Sequence, residues 1–469
     1  MSWPRLRQDC VEVLLAPFPG GLGGGRRVGL ENEYVVTTAD GVMAPPGTIA
    51  ALWRELAAQG WQLLRDVQRD TVVGARTGAD VVTTDYGYAT LELNIAPERT
   101  LHDAGRRLAA LVATVAASLA RHGGVLLGYG AQPVTGPAAG QLGPATRYPL
   151  LAAARTEELR GRDTTGDLLC LSASSQTQVD VTRAEAVDVL NALTATAGVR
   201  AALLANSSVW QGREGPELAA RELFWDRWWP GRREQVGVPR RFHDAEHYVE
   251  TLAGYRGLLI GRPEGSWLLA DRPPFRELLV SRAAVRGLGP AGAGTLLRVV
   301  PGDLVSHSGI GWGAARLHLR HGTVEDRVAC QQPPEAPLAA AALTLGLVER
   351  FRDVLALVDG RPWHRWQAFR QAACTYGLRA RSGGIDGPAM AGELLAVARH
   401  GLRDRGHGEE ALLEPLDERL ESGRVPADEA RDLLRTGGAR ALVARYDMRS
   451  AAGPAEVRPQ LVTDGRGRV

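Results

Sequence analysis

Three segments of the chain alternate polar and apolar residues in the manner of a β-strand. They cover residues 28–34, 90–95 and 323–328. Because residues two apart in a strand lie on the same face, each segment is expected to separate its polar residues from its apolar ones. The polar side would carry three pairs, which are Glu31 with Glu33, Glu92 with Asn94, and Glu325 with Arg327. The pattern predicts a sheet with one polar, largely acidic face.

An acidic face of this kind needs a source of positive charge. Carboxylates crowded together repel and are costly to bury, and hard divalent cations with oxygen ligands remove that cost. A single acidic strand is more often a solvated surface. Three such strands, with Asp85 in a strand-like run shortly before Glu92, favour a shared site. The pattern therefore indicates a site for metal-bound phosphate.

The remaining periodicity predicts an α+β fold. Before Pro333 it predicts helices over 47–64, 103–121 and 184–205, and strands over 124–130, 170–182 and 313–331. Residues 212–275 read as a long connection rich in tryptophan and arginine, whose tryptophans are more typical of packing than of a base-stacking platform. Beyond Pro334 it predicts helices over 336–358, 364–375, 388–402, 409–421 and 426–435. We expect a core of residues 1–334 and a helical portion of residues 335–469 packed on it as one catalytic unit.

Composition narrows the classes of function. The chain has 469 residues, of which 45% are hydrophobic and 23% charged, with a net charge of +2. This near-neutral balance gives no support for a nucleic-acid or membrane-surface partner. No apolar run reaches a membrane span and no secretory leader is evident, so a cytoplasmic location is expected. The four cysteines are far apart, which fits reduced thiols better than disulfides or a zinc site.

The chain contains no lysine, so all 55 basic residues are arginine. A Walker-type phosphate loop, a protein-kinase site and Schiff-base chemistry each need a lysine and are excluded in their standard forms. Phosphate would have to be bound by arginine, backbone amides or metal.

Several motifs, in order along the chain, resemble those of the glutamate–cysteine ligase family of type 2, which are carboxylate–amine ligases. The opening segment Gly29-Leu30-Glu31-Asn32-Glu33 resembles the family's G-x-E-x-E strand. The later matches are Leu91-Glu92-Leu93-Asn94, the segment 127–133, Arg147-Tyr148, Gln178-Val179-Asp180, the segment 204–208 with Arg221 after it, His307 with Arg316, and Glu325-Asp326-Arg327. No single motif is specific, but the ordered set covers about residues 28–435.

The resemblance implies a glutamine-synthetase-like fold, in which a curved antiparallel sheet forms a funnel with helices packed outside. It implies a reaction in which ATP phosphorylates a substrate carboxylate and an amine then displaces phosphate to form an amide. Glutamate and cysteine are the leading substrate pair, which would place the protein in low-molecular-weight thiol biosynthesis.

The resemblance and the acidic strands together suggest roles for individual residues. Mg²⁺, or alternatively Mn²⁺, would be held by Glu31, Glu33, Glu92 and Glu325. The expected catalytic residues are Arg327, Arg316 and Glu92. The expected ATP- or substrate-binding residues are Asp85, Asn94, Gln178, His307, Arg147, Tyr148, Arg221 and Cys330.

One departure from the family pattern leaves the acceptor open. The family has an acid three residues after the arginine of its E-x-R strand, where this chain has Cys330. The same chemistry with another amine, or with a carrier-protein thiol, is therefore an alternative. A non-catalytic nucleotide-binding member and a ligase or hydrolase of a protein tag are further alternatives. The sequence does not indicate the oligomeric state.

Overall fold

The computed structural model describes residues 2–160 and 167–452. Its strands, in chain order, are β1 (Val28–Thr37), β2 (Gln62–Arg65), β3 (Val72–Thr77), β4 (Asp80–Thr84), β5 (Thr90–Asn94), β6 (Val125–Leu127), β7 (Ser175–Asp180), β8 (Val209–Trp210), β9 (Arg213–Glu214), β10 (Val236–Gly237), β11 (Leu259–Arg262), β12 (Gly265–Leu269), β13 (Ala284–Leu288), β14 (Gly294–Arg298), β15 (Trp312–Gly313), β16 (Ala315–His318), β17 (Thr323–Asp326), β18 (Arg381–Ser382) and β19 (Ile385–Asp386).

The α-helices before the main C-terminal group are α1 (Trp3–Leu15), α2 (Pro46–Ala58), α3 (Leu101–Ala120), α4 (Arg147–Leu159), α5 (Ala186–Ala195), α6 (Ala197–Leu203), α7 (Ala220–Trp228), α8 (Ala245–Gly254), α9 (Phe275–Ser281) and α10 (Leu304–His307). They are followed by α11 (Ala339–Glu349), α12 (Phe351–Asp359), α13 (Trp363–Tyr376), α14 (Gly387–Arg405), α15 (Glu414–Ser422) and α16 (Pro426–Tyr446). None of these helices is both long and apolar enough to cross a membrane.

The main sheet has nine strands and is antiparallel throughout. Its order is β16-β17-β7-β1-β5-β4-β3-β2, and β6 also pairs with β1. Two of the three acidic segments, β1 and β5, are adjacent in this sheet, and the third, β17, is separated from β1 by β7 alone. The α+β class and the antiparallel sheet with helices outside it, both expected from the sequence, are confirmed.

One face of this sheet is apolar and covered by helices. Leu30, Leu91 and Val324 are buried on it, and α3 and α11 pack against the sheet. The face also carries a buried polar contact, since the hydroxyl of Thr344 on α11 donates to a carboxylate oxygen of Asp326 at 2.6 Å. Asp326 follows Glu325 on β17 and therefore points to the opposite side of the sheet. The acidic face on the other side of the sheet lines a cavity.

Several of the predicted elements differ in the structure. The helix expected over 47–64 ends at Ala58, and the chain turns through Gly60, at φ +88°, into β2. The helices expected over 184–205 and 336–358 are each two helices, because the backbone leaves helical geometry at Thr196 and at Arg350. The prediction of a long connection over 212–275 is wrong. This segment contains α7, α8 and the first strands of a second, four-stranded antiparallel sheet, β11-β12-β13-β14.

The C-terminal helices pack directly on the sheet. Helix α11 lies against β7, and α14 packs against α11. Near the end of α16, the carbonyl of Tyr446 accepts a hydrogen bond from the amide of Gly128 at 2.8 Å. The division of the chain at residue 334 stays a prediction.

Candidate active site

A cavity of about 460 Å³ lies over the polar face of the main sheet. Its floor comes from β1, β5, β7, β16 and the residue after β17, and its walls include α4 and α7. The charged, polar and aromatic side chains lining it include Glu31, Glu33, Asp85, Glu92, Arg147, Tyr148, Gln176, Arg221, Trp225, Trp312, Arg316, His318 and Arg327. Residues distant in sequence thus form one mixed acidic and basic surface.

The acidic half of the floor is built by strand register. Glu33 on β1 is directly opposite Glu92 on β5, and Glu31 lies two residues from Glu33 on the same face. Burial raises the pKa of Glu31 well above its usual value, and repulsion from Glu92 adds to the rise. Burial and the nearby Asp85 raise the pKa of Glu33, and the same two causes raise the pKa of Glu92 to about 7. The three glutamates are therefore under electrostatic strain that a cation would relieve.

The donor chemistry of these glutamates fits a hard divalent cation, because carboxylate oxygens are the ligands that Mg²⁺ takes. Their contacts still leave lone pairs free. Glu33 accepts from the amide of Ser174 and from the side chain of Gln176, each at 2.7 Å, and each oxygen keeps further acceptor capacity. Among the described residues, however, no three carboxylate, imidazole or thiol groups are close enough together to hold a metal ion.

Glu325 has partners other than those expected of a metal ligand. It is fully buried, and its two oxygens accept from Arg316 Nε at 2.8 Å and from a terminal nitrogen of Arg327. Burial alone would raise the pKa of Glu325, but the two arginines outweigh burial and lower it to about 2. Glu325 therefore anchors two arginines at the basic half of the floor.

A second cluster lies beside Glu92 and joins Asp85, Arg147 and Tyr148. The hydroxyl of Tyr148, at the start of α4, donates to Asp85 Oδ1 at 3.1 Å. Arg147 donates to the same hydroxyl at 2.6 Å, and its side chain is exposed. Burial raises the pKa of Tyr148, so this phenol is protonated and acts as a donor. These three expected residues therefore do meet in the structure.

Two of the expected polar residues support the floor and do not line the cavity. Asn94 donates to Glu92 Oε1 at 2.6 Å, and Gln178 donates to Glu31 Oε2 at 3.2 Å. Each therefore contacts a glutamate that does line the cavity.

The structure places His307 and Cys330 outside the cavity lining. His307 is fully buried, its Nε2 lies 2.8 Å from the carbonyl oxygen of Leu252, and its ring stacks on Phe275. A carbonyl only accepts, so Nε2 carries the proton. Cys330 is 1% exposed, its Sγ lies 3.3 Å from the hydroxyl oxygen of Ser207, and burial raises its pKa. These surroundings are typical of structural residues.

Arg221 lines the cavity, but its guanidinium is occupied by the protein. It donates to the backbone carbonyls of Arg327 and Val328 and to the hydroxyl of Ser172. It thus holds the chain segment that presents Arg327.

Sequence reasoning did not assign several residues of the cavity lining to the site, among them Gln176, Trp225 and Trp312. Gln176 lies between the acidic and basic halves, and its position on the same strand face as Gln178 was the available indication. Trp225 and Trp312 form an aromatic wall, with their rings stacked at 6.0 Å and the guanidinium of Arg327 5.8 Å from the ring of Trp225. The neighbouring Trp228 and Trp229 are fully buried, as the packing interpretation expected.

Comparison with known proteins finds solved structures similar to this chain and one family model that matches it. A glutamate–cysteine ligase from Francisella tularensis, solved in complex with AMP, has a TM-score of 0.52 at 11% identity, over 92% of this chain and 89% of that one. A bifunctional glutathione synthetase from Pasteurella multocida has a TM-score of 0.49 at 13% identity, over 95% of this chain but 53% of that one. A search of curated protein sequences found no match. The model of glutamate-cysteine ligase family 2 matches residues 27–445. Since that match covers nearly the whole chain, the protein belongs to glutamate-cysteine ligase family 2 and is an ATP-dependent carboxylate–amine ligase.

Proposed function

We propose that the protein joins glutamate, through its side-chain carboxylate, to an amine, and that the leading acceptor is cysteine. ATP would phosphorylate the carboxylate, and attack by the amine on the acyl phosphate would release phosphate and form the amide. The observation that carries the proposal is the joint presence, over one sheet face, of the glutamates of β1 and β5 and the arginines anchored by Glu325. Phosphoryl transfer needs both kinds of group, since negative charge develops on oxygens that must also be held in place.

Glu31, Glu33 and Glu92 are the residues that would hold Mg²⁺ or Mn²⁺. Their raised pKa values support this assignment, because repulsion from a neighbouring carboxylate is one of the causes in each case. When bound, the cation would neutralise charge on the phosphate oxygens. Glu325 is better suited to holding Arg316 and Arg327, since both of its oxygens already accept from them.

Arg316 and Arg327 would bind the transferred phosphoryl group or the substrate carboxylate. Arg316 uses only Nε on Glu325, and its terminal nitrogens make no hydrogen bond to the described residues. A guanidinium held along one edge presents its other edge as a planar fork, which matches two oxygens of a phosphate or carboxylate. Glu325 would therefore prevent the arginines from rotating away from the ligand.

The proposal is tested with purified protein, ATP, Mg²⁺, glutamate and each candidate amine, scored for ADP, phosphate and the amide by mass spectrometry. We expect turnover that depends on glutamate and an amine, disappears in EDTA and returns with Mg²⁺ or Mn²⁺. Glu92→Gln, prepared in parallel, identifies contaminating ATPase, which this substitution would leave intact. Full turnover in EDTA would contradict the metal assignment, and ADP formation without any amide would contradict the ligase assignment.

The geometry of the site constrains the acceptor amine less than it constrains the phosphorylation of the carboxylate. Trp225, Trp312 and Ile310 give the cavity an apolar wall beside Arg327. This wall favours extending the screen to amines with apolar side chains and to carrier-protein thiols. A product with one of these, and none with cysteine, would keep the chemistry and change the substrate.

A further inference from the structure

Gln176 occupies the boundary between the acidic and basic halves of the cavity floor. It lies on β7 with Glu31 of β1 as its direct cross-strand neighbour, and it is 2% exposed. Its side chain lines the cavity. A buried primary amide has two donor hydrogens and one acceptor oxygen to satisfy, so its partners define what the residue does.

Both the nitrogen and the oxygen of the Gln176 amide are hydrogen-bonded. The nitrogen contacts a carboxylate, and the oxygen contacts a guanidinium. Nε2 donates to Glu33 Oε1 at 2.7 Å and to the hydroxyl of Ser174 at 3.0 Å. Oε1 accepts from a terminal nitrogen of Arg327 at 2.9 Å. Because an arginine only donates, the amide oxygen must face Arg327 and the amide nitrogen must face Glu33, so the amide has one possible orientation. Gln176 therefore links the acidic cluster to the arginine.

Gln176 also completes the support of Arg327. Arg221 holds the backbone of Arg327 by donating to the carbonyl oxygen of Arg327. One terminal nitrogen of the Arg327 guanidinium donates to both Glu325 and Gln176. With Glu325 alone, the planar group would have a single acceptor and could pivot about that contact. Two acceptors at one nitrogen fix the direction of its remaining edge toward the cavity.

Gln178 provides a matched comparison on the same strand face. Its amide contacts Glu31 at 3.2 Å and the hydroxyl of Thr323 at 3.3 Å, and it makes no hydrogen bond to an arginine among the described residues. The two glutamines share residue type, strand and direction. They differ in the link to Arg327.

We infer that Gln176 is a positioning residue, which aims the guanidinium of Arg327 at the reacting phosphoryl group and ties that aim to Glu33. The catalytic part of the inference rests on the proposed function, whereas the link itself rests only on the contacts. Displacing a stabilising group by a fraction of an ångström weakens contacts made in the transition state more than those made in the ground state. The effect of losing Gln176 should therefore appear in kcat.

The test is a double-mutant cycle of Gln176→Met with Arg327→Lys, compared with a cycle of Gln178→Met with Arg327→Lys. Methionine keeps the length of the side chain and removes both amide functions. Gln176→Met should lower kcat roughly tenfold or more while KM for ATP changes by less than about threefold. In the Arg327→Lys background, Gln176→Met should have little further effect, whereas the effects of Gln178→Met and Arg327→Lys should multiply to within about twofold.

The same two cycles are measured by urea unfolding, so that the link is tested whether or not ATP is turned over. We expect a non-additive loss of stability for Gln176 with Arg327 and additive losses for Gln178 with Arg327. If the losses of stability are additive in both cycles, the link between Gln176 and Arg327 is overturned. Coupled unfolding with independent effects on kcat would overturn the positioning role and leave a structural contact. A parent protein without ligase activity would overturn the proposed function and the catalytic part of this inference, while unfolding would still decide the link.

Discussion

Glu33 and Glu92 are directly opposite each other on β1 and β5 and face the same cavity. Like charges in this position destabilise a sheet. Burial and nearby carboxylates accordingly raise the pKa of both residues. The close approach of these carboxylates therefore lowers the stability of the metal-free fold.

Glu92→Gln should stabilise the metal-free protein above pH 7. The pKa of Glu92 is about 7 in the folded protein against an ordinary 4.5. The stability provided by its bound proton is therefore complete below pH 4.5 and is lost as the pH rises to about 7. Glutamine cannot ionise and removes this loss. Above pH 7 we expect the free energy of unfolding of Glu92→Gln to exceed that of the parent by about 1–3 kcal/mol, and the difference should shrink toward pH 4.5. Urea unfolding in EDTA at several pH values measures it.

The control for this prediction is Glu393→Gln, at an exposed position on α14. It should leave the pH dependence of unfolding as in the parent. Equal stability of the parent and Glu92→Gln at every pH would show that Glu92 is not under strain.

Glu325→Gln should have the opposite effect on stability. The pKa of Glu325 is about 2, so its contribution is present above pH 4.5 and is lost as the pH falls toward 2. The amide would leave the half-buried guanidiniums of Arg316 and Arg327 beside a neutral group, and breaking an ion pair around a buried carboxylate costs about 3 kcal/mol. The midpoint of urea unfolding at neutral pH should fall, and an unchanged midpoint would show that Glu325 does not anchor the arginines.

Arg327→Lys should lower kcat about a hundredfold or more, on the scale of losing one preorganised donor to a developing charge. Lysine keeps the charge but cannot contact Glu325 and Gln176 while presenting a planar edge to the ligand. Steady-state kinetics with the substrate pair from the screen measures the loss, and Arg286→Lys, at an exposed position on β13, is the matched control. Parent-like kcat in the lysine variant would make Arg327 an ion-pair partner alone.

Cys330→Ser should remain active, because the thiol is buried against Ser207 and burial raises its pKa. A buried thiol with a raised pKa is a poor nucleophile. Cys330→Asp, which restores the acid of the family pattern, should mainly reduce stability, since it places a charge in a site closed to solvent. Intact-protein mass spectrometry during turnover provides the check, and an acyl adduct on Cys330 would contradict the structural role.

The shared face of Glu31 and Glu33 could be predicted because strand geometry alone decides it. The place of Glu92 on the same face depends on the pairing of β1 with β5. The apolar face of α3 could also be predicted, because Leu108, Leu111 and their apolar neighbours recur at helical spacing. These residues are buried in the structure. The chemical roles of these glutamates stay predictions.

Contacts between distant segments could not be read from the sequence. Whether Gln176 or Gln178 meets Arg327 depends on how β7 is paired with β17, which neither strand specifies locally. His307 is fixed by Leu252 and Cys330 by Ser207, and neither partner is near in sequence. The second sheet was missed because its strands are short and interrupted by glycines such as Gly261 and Gly287, which weakens the alternation that identifies a strand.

The central claim is that the carboxylate is activated as an acyl phosphate. The most direct test uses glutamate whose side-chain carboxylate carries the heavy isotope of oxygen, with ATP, Mg²⁺ and the acceptor amine from the screen. Transfer of the phosphoryl group to the carboxylate, followed by attack of the amine, leaves one labelled oxygen on the released phosphate. Mass spectrometry of that phosphate should show one heavy oxygen for each amide formed. Unlabelled phosphate accompanying amide formation would contradict the account.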